Sequence, residues 1–227
     1  PTVNALIIAY LSVAVTILLL HYPGFLLSMR RHTRRTYRQK LLPRFKSDYT
    51  PTVAVFMPCK GICKHFAKNV SSLLATDYPN YNAYFIVEAD TDPAHDVLKR
   101  LTAGRPRAHI VIAGESQING QKNHNLLKGI EASRQRDEAY VFLDADIAFA
   151  RNWIRNLVQP LSDESVTCAT GFRLVSLSEG GIARCVHAFM VTMQWAWMHF
   201  KPIRTVWGGS VAIRRHEFEG LKVADSW

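Results

Sequence analysis

The sequence predicts an α/β domain, a mostly parallel sheet flanked by helices, preceded by a transmembrane helix. Three observations lead there. From Thr52 onward, short runs of β-branched and aromatic residues alternate with helical periods. That order implies parallel strands joined by crossovers. Tyr140-Val141-Phe142-Leu143 runs straight into Asp144-Ala145-Asp146, so two acids leave a buried strand one residue apart. Finally, Val3 to Leu20 is almost unbroken in apolar character and carries no charge.

The apolar run, extended by Tyr22, Phe25, Leu26 and Leu27, is long enough for a bilayer core, which takes about 20 residues. A cleaved signal peptide would place its positive charges before the run, whereas here they follow it. A soluble core helix is rarely apolar on all faces. Arg30, Arg31, Arg34, Arg35, Arg38, Lys40, Arg44 and Lys46 come next with no acid among them. By the positive-inside rule the chain after about residue 28 faces the cytoplasm, and the cluster suits anionic headgroups. The neighbouring membrane run sets nucleic acid aside as the partner of these charges. The expected organisation is a transmembrane helix over 1–28, a basic juxtamembrane linker over 29–49 and a globular domain over 50–227.

Within that domain Thr52–Met57 reads as the first strand. Pro58, Lys60 and Gly61 mark a loop at its carboxyl end, where Lys60 is either a cation for a phosphate or base or a solvated lysine. His65–Ala75 has helical spacing and stops at Asp77-Tyr78-Pro79. Ala83–Val87 is the second strand, closing on Glu88-Ala89-Asp90-Thr91-Asp92-Pro93. Asp92 has a structural explanation as the N-cap before Pro93. Glu88 and Asp90 have none and are better candidates for ligand contact.

His109–Ala113 is the third strand. A polar loop leads to Gly120-Gln121-Lys122-Asn123-His124-Asn125, which opens a helix to about Arg134. Helix N-termini favour anions, so Lys122 and Asn125 suit a diphosphate or nucleobase; an ordinary wet helix face is the alternative. The fourth strand ends in Asp144 and Asp146. Ligands of open α/β sheets bind outside the carboxyl ends of the strands. Two readings stand there: a divalent cation holding a phosphate, or Asp146 capping a turn beside a solvated Asp144.

Asn152–Leu161 reads as a helix and Val166–Phe172 as a strand. Gly180–Phe200 is long and apolar but interrupted by Arg184, His187, Gln194 and His199. It fits a helix lying on a membrane, a roof over a lipid site, or an aromatic-rich core helix. Val206–Arg215 gives a Gly208-Gly209 loop entering a strand, and glycines permit close backbone approach to a ligand. Net charge is +10 over 227 residues. Cys59, Cys63, Cys168 and Cys185 lack paired zinc spacing, which points to free thiols. No repeat, no G-x-x-x-x-G-K-[ST] and no G-x-G-x-x-G occurs. Pro1 opens the chain and Trp227 closes it without an obvious final element, as expected of a piece of a longer protein.

Pro58-x-Lys60-Gly61, Asp77-Tyr78-Pro79-x-Tyr81, Asp92-Pro93-Ala94, Gln121-Lys122-x-His124-Asn125-Leu126, Asp144-x-Asp146 and Gly208-Gly209-Ser210 follow in this order over residues 50 to 220. Together they resemble the ceramide glucosyltransferase branch of the inverting family 2 glycosyltransferases. The resemblance implies a GT-A (Rossmann-like) fold and a UDP-sugar donor. It puts Asp90 by the uridine, with Glu88 and Asp92 as neighbours in a loose register. Lys60, Lys122 and Asn125 would lie near the nucleotide, Asp144 and Asp146 would hold the diphosphate through Mg²⁺ or Mn²⁺, and Gly208, Gly209 and Ser210 would line the donor-sugar or acceptor end.

The implied reaction moves a hexose, glucose first, to a membrane lipid alcohol such as ceramide. The family's catalytic base and its Gln/Arg-x-x-Arg-Trp element are absent, so the base is expected beyond Trp227. Two alternatives keep part of this picture: a processive polysaccharide synthase of the cellulose or hyaluronan type, and a non-catalytic membrane-tethered sugar-nucleotide binder. A phosphatase using paired aspartates would want Thr or Val at Ala148.

Overall fold

The computed structural model describes residues 4–13, 15–16, 27, 30–31, 34, 45–46, 48–133, 136–172, 181–198 and 205–227. The chain divides into two compact units, Pro1–Arg44 and Phe45–Trp227. In the first, residues 4–13 are helical and exposed. Among the described residues no helix is long and apolar enough to cross a membrane. Residues 17–26 of the expected span lie outside the described set, as do Arg35, Arg38, Lys40 and Arg44 of the basic cluster.

The second unit is built on a six-stranded sheet: β1 (Val53–Pro58), β2 (Tyr81–Val87), β3 (Ala108–Ile112), β4 (Ala139–Leu143), β5 (Cys168–Thr170) and β6 (Ser210–Arg214). Their spatial order is β3-β2-β1-β4-β6-β5. β1 pairs in parallel with β2 and β4, and β2 with β3. β6 runs antiparallel to both β4 and β5. The sheet is therefore mixed, with β6 the reversed strand. That reversal makes β6 start where β4 ends, in the register Leu143↔Ser210.

Strands covered on both faces need apolar side chains on both, and β1 supplies them. Val53, Val55 and Met57 face one core, Ala54 and Phe56 the other. The first core takes α1 (Phe66–Leu74), α2 (Pro93–Thr102) and α4 (Trp153–Val158) through Phe66, Val70, Leu73, Leu98, Ile154 and Leu157. The second takes α3 (Gln121–Ala132) and α6 (Arg215–Gly220) through Leu126 and Phe218. Gly129 of α3 has no side chain because a Cβ there would stand 3.0 Å from Ile86 and 3.1 Å from Phe56.

The predicted elements differ from the observed ones mainly at their ends. The helix expected over Asn152–Leu161 is α4 followed by a 3₁₀ turn over Gln159–Ser162, because Pro160 cannot donate to a continuing α-helix. The strand expected over Val166–Phe172 is only Cys168–Thr170. α5 (Ile182–Met198) falls within Gly180–Phe200, whose ends lie outside the described residues. Its Ile182, Val186 and Met190 are exposed, against the core-helix reading for this face. α6 and the 3₁₀ turn Val223–Ser226 were not foreseen.

Phe56 is fully buried and stacks with Tyr84 and Phe142 while meeting the edge of Tyr140. Phe56→Ala should cost about 3–5 kcal/mol. A chemical-denaturation midpoint within error of the parent would contradict this account of the core.

Candidate functional site at the carboxyl edge of the sheet

β4 is buried at every residue, and Asp144 is the first side chain past its end. A carboxylate leaving an apolar strand needs an opposite charge or water. Lys122 Nζ stands 2.5 Å from Asp144 Oδ1. Lys122 reaches it because Gly120 and Gln121 begin α3 at this edge. Asp144 N–H donates to the Gly209 carbonyl at 3.1 Å, fixing the loop before β6 against the same carboxylate. A Cβ on Gly209 would lie 2.8 Å from Asp144 Oδ2 and 2.3 Å from the Trp207 ring. That space explains the glycine, whose contact is with the protein's own carboxylate.

Asp146 is exposed. With Asp144, Lys60, Gly61, Cys63, Phe66 and Ala145 it lines a cleft of about 260 Å³. The loop carrying the two acids is pinned by α1: Asn69 Nδ2 donates to the Ala145 carbonyl at 3.0 Å, and Phe149 N–H donates to Ser72 Oγ at 2.9 Å. Asn69 is buried and was missed in the sequence reading. Its signal was a polar residue inside the apolar stripe of Phe66, Val70 and Leu73. Cys63 was also missed as a lining residue.

The first acidic cluster meets the same edge. Glu88 lies 3.5 Å from Lys60 Nζ, and its carbonyl accepts from Gly114 N–H at 2.9 Å. Asp92 caps α2, with Oδ1 accepting from Ala94 N–H at 2.8 Å. The same carboxylate accepts from Gly61 N–H at 2.9 Å, so it also holds the Lys60–Gly61 turn. Asp90 is exposed, and its carbonyl accepts from His95 Nδ1 at 3.0 Å.

Asn125 is buried, and its Oδ1 accepts from Gln121 Nε2 at 2.7 Å. Gln121 also donates to the Gly114 carbonyl and accepts from Ser116 N–H. Asn125 thus serves the loop between β3 and α3. Ser210 is 2% exposed with its hydroxyl against Gly171, so it presents no hydroxyl to the cleft. Gly208 has open space around its Cα.

Among the described residues no three His, Cys, Asp or Glu side chains gather as a metal cage. Asp144 and Asp146 are two carboxylates on one open cleft. That donor set fits a hard divalent cation that takes one or two carboxylates and completes its shell with substrate phosphates and water. Burial pushes the Cys59 thiol well above its ordinary range, with the Asp92 charge adding to the shift. Cys63, by contrast, is exposed at the cleft.

Gly209→Ala should destabilise the fold by about 1–3 kcal/mol, the ordinary cost of overpacking. The Trp207 ring and the Asp144 carboxylate must both yield. Thermal unfolding of the variant checks this; an unchanged midpoint would mean the loop adapts freely.

Solved structures share this architecture. A mannosyltransferase from Pyrobaculum calidifontis, in complex with GDP-Man and Mn²⁺, matches 92% of this chain and 57% of its own at 20% identity, with a TM-score of 0.59. S. aureus TarS 1-349 matches 76% of this chain and 49% of its own at 10% identity and a TM-score of 0.54. Glucosyl-3-phosphoglycerate synthase from Mycobacterium tuberculosis, in complex with phosphoglyceric acid, matches 78% and 61% at 16% identity and 0.51. The chain spans about half to three-fifths of the length of these proteins. They place its fold among GT-A-like mixed α/β sheets. The family model for glycosyl transferase family 21 matches residues 16–221, and the chain belongs to that family.

Proposed function

We propose that this chain carries the donor site of an inverting glycosyltransferase that moves a hexose, glucose first, from a UDP-sugar to a membrane lipid alcohol such as ceramide. The observation that carries the reading is the cleft where Asp144, Asp146 and Lys60 meet, with Lys122 paired to Asp144. Family membership supports the transfer chemistry. The uncharged N-terminal run and its basic flank support a membrane-borne protein whose catalytic domain faces the cytoplasm.

In this reading Asp144 and Asp146 would hold Mg²⁺ or Mn²⁺, which when bound would supply Lewis-acid neutralisation of the diphosphate. Lys122 and Lys60 add positive charge where the departing diphosphate gains negative charge. Glu88 and the exposed Asp90 lie toward the nucleoside, on the β2 side of the cleft. Asp92 acts through the Gly61 turn that it holds. The Gly208-Gly209 backbone borders the sugar and acceptor end. The acceptor hydroxyl attacks the anomeric carbon as the sugar–phosphate bond breaks, and a base takes the hydroxyl proton. Such a base contributes about 10²–10⁴ in rate; none of the 227 residues is assigned to it.

Calorimetry with Mn²⁺ tests the donor half. UDP-glucose and UDP should both bind, and Asp144→Asn and Asp146→Asn should each weaken binding about tenfold or more, as expected for losing a charged partner. Unchanged affinity in both variants removes the cation role. Maleimide labelling gives an independent readout. Cys63 should react and Cys59 should not, and UDP with Mn²⁺ should slow the Cys63 reaction. Equal labelling with and without ligand would place the nucleotide elsewhere.

A further inference from the structure

We infer that Trp207 is the side chain against which the donor's sugar packs, and that Thr170 is the positioning residue that aims it. The inference rests on the donor reading and deepens it at the sugar end. Neither residue belongs to the ordered motifs that carry the family resemblance.

The strand order locates that end. Across the sheet the strands run β3-β2-β1-β4-β6-β5. Glu88 and Asp90 follow β2, Lys60 follows β1, and Asp144 and Asp146 follow β4. A sugar nucleotide is a linear molecule: nucleoside, diphosphate, sugar. With the nucleoside on the β2 side and the diphosphate at the two acids, the sugar would extend toward β6. The loop it would meet there is 205–209, which enters β6 at Ser210. Trp207 is the aromatic residue of that loop.

The indole is fixed beside the cleft. A Cβ on Gly209 would collide with the Trp207 ring and stand 2.8 Å from Asp144 Oδ2, so ring and carboxylate flank the same point. Phe172 meets the ring edge-on, with centroids 6.0 Å apart. Trp207 is half-buried, which leaves part of its surface open. A hexose presents C–H groups on its ring faces and hydroxyls at its rim. An indole can meet both, with an apolar face and one N–H donor. A nucleoside diphosphate without the sugar has nothing to place there.

The loop backbone is clamped from both strands that flank β6. On the β4 side, Asp144 N–H donates to the Gly209 carbonyl at 3.1 Å. On the β5 side, Trp207 N–H donates to Thr170 Oγ1 at 3.2 Å. The same hydroxyl stands 3.1 Å from the Trp207 and Ser210 carbonyls and 3.0 Å from the Gly171 carbonyl. It has one proton and donates to one of the three at a time. Gly171 N–H adds a bond to the Ser210 carbonyl at 2.9 Å. One side-chain oxygen thus holds the amide of the residue that carries the indole. If Thr170 only satisfied the loop backbone, its loss would be felt in stability. A positioning role makes its loss felt by the sugar and not by the nucleotide.

The test is calorimetry on the full chain with Mn²⁺, titrating UDP and UDP-glucose in parallel. Its readout is the ratio of the two dissociation constants. Trp207→Ala should shift that ratio against UDP-glucose about three- to tenfold, the range of a single aromatic contact, with UDP affinity unchanged. Thr170→Val keeps the branched shape, removes the hydroxyl and should shift the ratio in the same direction. Thr170→Ser, which keeps the hydroxyl, should return the parent ratio. Where thermal unfolding shows that Trp207→Ala does not fold, Trp207→Leu takes its place.

An unchanged ratio in the Trp207 and Thr170→Val variants overturns the inference and leaves the donor reading standing. So does a loss in a folded variant that falls equally on UDP and UDP-glucose, which would assign both residues to the scaffold alone. A parent chain that binds neither nucleotide sinks the donor reading and this inference with it.

Discussion

The charge on Asp144 is the constraint from which the site follows. β4 is buried along its whole length, so the chain delivers a carboxylate at the point where the apolar interior stops. It is met from two sides. α3 begins beside it and supplies Lys122, while β6 begins beside it and supplies a glycine carbonyl for its N–H. The ion pair itself is half exposed and adds little to stability. Its consequence is positional: two elements far apart in sequence converge on one carboxylate.

The reversal of β6 is what allows this convergence. A parallel sixth strand would have sent its entry loop to the opposite edge. An antiparallel one brings Trp207, Gly208 and Gly209 to the end of β4. The loop after β4 is then secured from the other face of the sheet by Asn69 and Ser72 of α1. Asp92 performs the same service for the β1 loop through Gly61 N–H. Exposed charged side chains of the cleft thus ride on backbone held by buried or half-buried polar groups.

Much of this was legible in the residues. Strands β1 to β4 and helices α1 to α3 appear where apolar runs and helical periods place them, because each is buried on the face its period marks. Asp92 was legible as an N-cap through Pro93, and the acids of β4 through the run that precedes them. The direction of β6 was not, since pairing direction depends on a partner remote in sequence. Asn125 looked like a ligand residue because a polar side chain near a helix start has the same signature whether it faces a nucleotide or its own loop. Here it is buried and accepts from Gln121, which ties it to the loop. The Ser210 hydroxyl is buried against Gly171. About half of the transmembrane span expected over 1–28 falls outside the described residues, and the span stays an expectation of the sequence.

The pairing of Lys122 with Asp144 bears on how a donor would enter. Lys122 Nζ takes Asp144 Oδ1, an oxygen that a divalent cation would also claim. Two cations on one carboxylate repel each other, so a cation alone would be a poor ligand for this cleft. A diphosphate would change the balance, because its oxygens could accept from Lys122 and also serve as cation ligands. Cation and nucleotide would then bind with mutual reinforcement, each relieving the cost of the other. Until they arrive, the ion pair holds Lys122 beside the place where negative charge would develop. In the proposed reaction the lysine would already be oriented when the bond to the leaving group breaks, which is the arrangement that electrostatic catalysis requires.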